Sequence, residues 1–484
     1  MIETDLNRGT LPRIAIIGAG ISGLSAAWTL HQHAHRVHVT IFEASDRAGG
    51  VLQSIDDPPY LIERSADNFA TLHPDALELC TATGYLDNLI RPQLTDRQAF
   101  VLRRGRILPI PAGFSLVQPT RVWPILTTRI LSWRGKLRLL SEAFIRPRTA
   151  LSDESLQEFA LRRLGREGFE RLVEPIVSGI FTADPSKLSM LATLPQFAKM
   201  EREQGGLMRA AWSARRGQAA TIARRASGAR YDQFVAPRLG MSHWVEHLVR
   251  GLPAGTLRLQ EPVQNVARNR APSSVWQVTT ARGRSDFDGV IFANATHHAA
   301  ALLHESEPDI ASRLAAIEYA SSAVVTLVVD RNELRARVDG FGLIVPTIEH
   351  RPVLAISYAS NKYAGRAPDD QIMLRMFLGG ARAPQILQQS DSQLIATALQ
   401  QTREILLWQG KLPRWQGVVR WSQAMPQYHV GHMSRVAVLN QALATAGSLQ
   451  VCGAAYMGVG IPQTVRSGRT AAQAMLTQLV PTAL

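Results

Sequence analysis

Apolar positions follow two rhythms along this chain, unbroken runs and helical repeats, and the first fifty residues contain both. Arg13 to Ile17 is a β-branched run, the pattern of a strand buried on both faces of a parallel sheet. Leu24, Ala27 and Trp28 then recur at helical spacing, and Val37 to Phe42 is a second run. The spacing predicts strand, tight turn, helix and strand, with a further glycine turn at Gly49-Gly50. The same order returns at the far end, where a strand from Leu449, a glycine-rich turn from Gly453 and a helix over 463–479 succeed one another.

Between these ends the rhythm changes. Val51 to Ser54 and Tyr60 to Arg64 flank Asp56-Asp57-Pro58-Pro59 and read as a hairpin. Asp75 to Gly84 reads as a short helix closed by a glycine, and two strands flank Arg104-Gly105 from Phe100. Leu126, Ile130, Trp133, Leu137, Leu140 and Phe144, at spacings of four and three, predict one amphipathic helix whose wheel carries Arg129, Lys136 and Arg138 elsewhere. Ser152 to Ser155 caps another helix, which leads to Glu174 to Ser189, a passage too irregular for a simple connector. Strands are predicted at Thr256–Leu259, Glu261–Val266, Val275–Thr280 and Phe287–Asn294, the last rejoining the first sheet as a buried parallel strand. Blocks Ala323 to Asp330 and Gly340 to Gly380 predict a mixed sheet that would form a substrate platform.

The first turn, Gly18-Ala19-Gly20-Ile21-Ser22-Gly23, adds chemistry to this pattern. Gly18 permits the bend, Gly20 lets backbone N–H groups approach a pyrophosphate, and Gly23 lets helix and strand pack closely. Glu43 ends the next strand, where a carboxylate accepts ribose hydroxyls. The helix over 463–479 offers its N-terminus to negative charge in the same way.

A length of 484 residues predicts two or three domains, and 46% hydrophobic against 19% charged residues describes a folded chain. The formal charge of +14 favours anionic partners: acidic lipid, nucleic acid or a substrate with carboxylates. Five arginines between Ala214 and Arg230 lack interleaved aromatics, which argues against a nucleic-acid platform. Cys80 and Cys452 are too few for a disulfide framework and fit a reducing compartment. His31, His33, His35 and His38 have no carboxylate among them, so no metal is expected there. No signal peptide and no spanning run are read, so the expected location is cytoplasmic or peripheral on the cytoplasmic face of the inner membrane.

Beyond Glu43, the stretch Ala44 to Gly50 with Arg47 resembles the second flavin signature, which implies FAD. With Glu174 to Ser189, Gly340 to Pro346, Ala364 to Pro368, Met425 to His432, Tyr456 to Ile461 and Ser467 to Arg469, the chain resembles the protoporphyrinogen oxidase family, including the coproporphyrinogen oxidases. The resemblance implies an α/β fold: an FAD-binding Rossmann-like domain (1–90, 235–298, 426–484), a mixed-sheet substrate domain (201–234, 299–425) and a helical membrane-binding domain (98–200). It carries cofactor contact to Gly18, Ala19, Gly20, Ile21, Ser22, Gly23, Glu43, Ala44, Arg47, Gly49, Gly50, Val51, Val263, Gly453, Val459, Gly460 and Ile461. It carries substrate contact to the Gly179 backbone and to Ile344 and Phe377 as apolar walls.

Departures from the family pattern bear on the substrate's propionates more than on the flavin chemistry, although Leu239-Gly240 stands where the family has a glycine pair near the cofactor. Ala99 replaces an arginine that clamps a carboxylate, with Arg97 or Arg103 as substitutes, and Ser357 replaces a leucine of the wall. The implied reaction is oxygen-dependent six-electron oxidation of protoporphyrinogen IX to protoporphyrin IX in haem biosynthesis, with hydrogen peroxide as by-product. Coproporphyrinogen III is the alternative substrate, and a related amine oxidase or carotenoid desaturase the alternative enzyme. A colourless binder of acidic lipid or nucleic acid is the alternative class. Peripheral membrane contact is implied, and a homodimer is left open.

Overall fold

The computed structural model describes residues 11–93, 98–150, 152–216, 233–268 and 276–480. Arg97, Val275 and the arginines from Arg224 to Arg230 lie outside them.

Strand β1 (Arg13–Ile17) lies at the middle of a five-stranded sheet, between β2 (His38–Phe42) and Gly289–Phe292. Leu257–Arg258 and Leu449–Val451 form the two edges, and every pairing is parallel. The continuous apolar runs follow from burial on both faces. Ile14 and Ile16 meet helix α1 (Ile21–His31) and the C-terminal helix Ile461–Leu479. Ala15 and Ile17 face the side covered by helices Thr296–Leu303, Pro308–Ala315 and His432–Thr445. The cofactor segment was expected to end at 298, inside the first of these helices and before the second. Their apolar faces bury against the parallel sheet, so that segment runs on past 298.

A second sheet has seven strands in the order Trp415–Pro426, Tyr319–Asp330, Gln371–Gly379, Val353–Tyr358, Gly342–Ile344, Ala99–Arg103, Arg106–Pro109. It is mixed, because Gly342–Ile344 and Ala99–Arg103 run parallel. Residues 98–109, grouped with the helical region by sequence, therefore belong to this sheet; Phe100 and Leu102 fill the same core as Leu343 and Ile356. That core is closed by the helix Asp391–Leu406.

The helical region has its own core, to which Leu207 belongs although 201–234 was expected to open the substrate domain. Buried Glu142 accepts the N–H groups of Leu207 and Met208 and so anchors the start of helix Leu207–Arg216. The single amphipathic helix expected over 126–144 is two helices, Val122–Thr127 and Trp133–Leu140, followed by a 3₁₀ turn, Ser141–Phe144. Thr128 is extended, and Ser132 caps the second helix by accepting the Gly135 N–H at 3.1 Å. Among the described residues, no helix is long and apolar enough to cross a membrane.

Candidate cofactor and substrate site

The two glycine turns of the N-terminal segment touch. Gly49 donates its N–H to the Ala19 carbonyl at 2.8 Å, and a Cβ on Gly50 would stand 3.3 Å from the Gly20 Cα. Gly18 has φ +107°, and a Cβ there would lie 3.1 Å from the Ala293 carbonyl. A side chain on Gly23 would collide with the Gly18 carbonyl oxygen, whereas one on Gly20 would meet nothing within 4 Å. The turn is thus tight where it packs on protein and open at the N-terminus of α1, a cradle shaped for an anionic ligand. Ile21 and Ser22 are buried in the first helical turn.

Glu43 Oε2 accepts the Ala19 N–H at 2.8 Å, and Oε1 accepts from Ser45 N and Oγ at 2.9 and 2.7 Å. A carboxylate has further lone pairs for ligand hydroxyls. Arg47 was expected to meet phosphates; its guanidinium donates to the carbonyls of Ala48, Gly50 and Leu52. It shapes the second glycine turn, and burial followed by the nearby Arg64 lowers its pKa. Ala44 and Val51 are exposed beside it, and Val263 is half-buried at the start of strand Val263–Arg268.

The C-terminal helix lies antiparallel against α1. Ser25 Oγ donates to the Val465 carbonyl at 2.8 Å, and a side chain on Gly468 would collide with the Ser22 carbonyl. Seven residues separate Gly468 from Ile461, so the second helix N-terminus stands about 10 Å of helix away from the Ser22 contact. A Cβ on Gly453 would stand 3.7 Å from Ser22 Oγ, and Val459, half-buried, packs with Ile344 on the helical core. Each helix N-terminus carries partial positive charge that favours an anionic group beside it.

On the mixed sheet, Ile344, Ala355 and Phe377 pair side by side across three adjacent strands and so share one face. Gly179 belongs to helix Glu174–Phe181, which packs against this part of the sheet, and a Cβ on it would meet nothing within 4 Å. Glu174 fixes that helix: it accepts from Thr347 N at 3.2 Å, Thr347 Oγ1 at 2.5 Å, Ser178 Oγ at 3.1 Å and Arg382 Nη1 at 3.1 Å.

Next to Phe377 on the same face, buried Arg375 reaches the segment that follows the hairpin. It donates to the Ser65 carbonyl and pairs with Asp67 at 3.2 Å; Lys362 pairs with the same carboxylate at 3.2 Å. Burial alone raises the Asp67 pKa, but Lys362 and Arg375 outweigh it and hold the carboxyl below its usual range.

The profile of the flavin containing amine oxidoreductases matches residues 21–476. The chain belongs to this family. Among curated flavoenzyme relatives, it is 30% identical over 473 residues to coproporphyrinogen III oxidase of Bacillus subtilis, covering 96% of this chain and 98% of that one. It is 28% identical over 447 residues to the chloroplastic protoporphyrinogen oxidase of Nicotiana tabacum, covering 88% and 78%. A solved structure from Exiguobacterium sp. 255-15, a candidate protoporphyrinogen oxidase, superposes with a TM-score of 0.84 at 26% identity over 96% of this chain and 99% of that one.

The geometry gathers Gly18 to Gly23, Glu43 and Gly49-Gly50 into one cradle, while Val459 to Ile461 open the C-terminal helix. Ile344 and Phe377 share one sheet face, and Gly179 faces open space. Arg97 lies outside the described residues, and Ala99 sits in its strand without a charge to offer. Arg103 is half-buried, its pKa lowered by burial and then by Arg171. Ser357, buried between Gly342 and Arg375 in register, has a hydroxyl with no hydrogen-bond partner. Asp67, Lys362 and Arg375 were missed in the sequence. The available signal was an arginine inside the apolar run Gln371–Gly379, since a charge in a central strand requires a partner.

Proposed function

We propose that this flavoenzyme oxidises a porphyrinogen to the porphyrin, with FAD in the cradle and O2 as final acceptor. The observation that carries the reading is the link between the second cofactor turn and a flat apolar wall, Ile344, Ala355 and Phe377: Ser65 Oγ donates to the Val51 carbonyl, and the Ser65 carbonyl accepts from Arg375, which lies over Phe377. A macrocycle needs apolar walls for its rings and water or paired cations for its carboxylates. The bound cofactor supplies two-electron acceptance, three rounds of which remove the six electrons between porphyrinogen and porphyrin.

The protein's share is placement. Gly20 gives the pyrophosphate backbone access, Glu43 takes the ribose hydroxyls, and the N-terminus of the C-terminal helix favours negative charge at the far end of the cofactor. Arg375 and Asp67 join the substrate wall to the segment beside the cofactor turns.

Two relatives named for coproporphyrinogen III, each 30% identical over 96% of this chain, match with higher identity and fuller coverage than the tobacco enzyme at 28% over 88%, which favours coproporphyrinogen III as substrate. Protoporphyrinogen IX is the second reading, supported by the tobacco relative. Initial rates on the two colourless porphyrinogens, followed by porphyrin fluorescence and peroxide release, decide between them. A yellow, FAD-loaded protein inactive on both rejects the proposal.

The helical region we assign to the surface of an anionic membrane. Trp123, Trp133, Leu137 and Phe144 are 73%, 68%, 65% and 81% exposed, with Arg129, Arg134 and Arg146 exposed among them.

A further inference from the structure

The turn 453–460 has little regular structure of its own, and several of its polar groups are satisfied from outside. Ser467 Oγ takes the Gly453 N–H at 3.0 Å. The Tyr428 hydroxyl works in both directions, donating to the Ala454 carbonyl and accepting the Gly458 N–H at 2.8 Å. One oxygen atom therefore ties together two points four residues apart. His432 Nε2 lies 3.1 Å from the Tyr456 carbonyl, and because a carbonyl only accepts, that nitrogen carries the proton. The Tyr428 and His432 rings stack at 4.1 Å and 13°, both buried.

Tyr428 is in turn fixed by the passage that carries Gly179. Ser189 donates to its carbonyl at 2.7 Å, and Val430 donates to the Lys187 carbonyl at 2.8 Å. The site's substrate side and its C-terminal turn are thus registered through one phenol.

We propose that Tyr428 is a positioning residue for the flavin, with His432 bracing its ring. By pinning Ala454 and Gly458, it sets where the amides of 458–460 and the start of the C-terminal helix stand beside the cofactor. That placement governs how well negative charge arriving with an electron pair is stabilised. This assignment rests on the reading that the turn faces the flavin.

The test is Tyr428→Phe in the full-length, FAD-loaded protein, poised against a reference redox dye. The ratio of oxidised to reduced flavin at fixed dye poise is expected to shift about tenfold toward oxidised, with an altered flavin absorption spectrum. His432→Gln, which keeps a donor, is expected to shift it less than His432→Phe, which keeps a ring and loses the donor. If Tyr428→Phe does not fold or take up FAD, the His432 pair is read in the same way. Flavin-loaded variants with unchanged poise and spectrum overturn the assignment while leaving the cofactor site standing. Wild-type protein that takes up no FAD overturns the flavin reading itself.

Discussion

Glycines 18, 20 and 23 share one turn, yet adding a methyl group at each meets different surroundings, and this separates folding from binding. Gly23→Ala sets a Cβ against the Gly18 carbonyl, so despite the roughly 1 kcal/mol that alanine ordinarily gains in a helix a net loss of about 2 kcal/mol or more is expected. Gly20→Ala has open space and should leave the melting temperature of the FAD-free protein nearly unchanged while weakening FAD binding at least about tenfold. Thermal melts with and without FAD check both; equal effects of the two substitutions refute this division of roles. These glycine roles were legible in the sequence because the requirement is local to the turn. The roles of Arg47 and Arg375 were not, because hydrogen-bond partners depend on how loops and distant strands come together. Asp67 shows the consequence. Its folded pKa is depressed, so its ionised form adds stability above the unfolded value of about 3.9, and that stability is lost as pH falls through the lower folded value. Asp67→Asn should cost about 2 kcal/mol at neutral pH by leaving Lys362 and Arg375 without their carboxylate. The gap in melting temperature between variant and wild type should narrow as the pH is lowered through the acid range, and a gap that stays constant refutes the linkage.

At the scale of elements, Glu174 decides how helix Glu174–Phe181 sits on the substrate sheet. Its carboxylate gathers four donors from three places, including the backbone N–H of Thr347 just past Gly342–Ile344. Glu174→Ala strands those donors and should cost about 2–3 kcal/mol. Because the cofactor cradle is built elsewhere, FAD absorbance and occupancy should be unchanged while the porphyrinogen KM rises several-fold. Glu174→Gln, of the same shape, should fall between. A fall in FAD occupancy with no change in KM would place Glu174 in the wrong half of the site. Whole elements were legible where burial dictated composition: the run Gly289–Phe292 could only be an inner strand, and it pairs with β1 as expected. The helix expected over 126–144 failed because periodicity reports which side is apolar and not whether the chain continues. Ser132 acts as a cap there, and Lys136, placed on the wet side of the wheel, is buried and donates to the Leu126 carbonyl at 2.8 Å.

That break in the helix changes what the molecule as a whole presents to its surroundings. Trp133 and Leu137 share a face at i,i+4 spacing, Phe144 ends the 3₁₀ turn that follows their helix, and Trp123 stands on the helix packed beside them. Under the membrane assignment proposed above, two forces would draw this face to an anionic bilayer. Each exposed arginine contributes about 1 kcal/mol near such a surface, and each large apolar side chain about 1.5–3 kcal/mol when removed from water. Four apolar side chains therefore outweigh three arginines, even allowing for their partial exposure. The net charge of +14 gives attraction over distance, screened beyond about 10 Å at 0.1 M salt. The protein is thus expected to cosediment with phosphatidylglycerol vesicles, and raising the salt to about 0.5 M should weaken the binding without abolishing it. Trp133→Ser with Leu137→Gln and Phe144→Ser should reduce vesicle binding by more than about tenfold at low salt. FAD content and porphyrinogen turnover in detergent should be unchanged, since the three side chains are exposed and none belongs to the candidate site. Binding that salt removes completely and the triple variant leaves intact would mean that the arginines hold the protein to the surface and the aromatic face does not enter it.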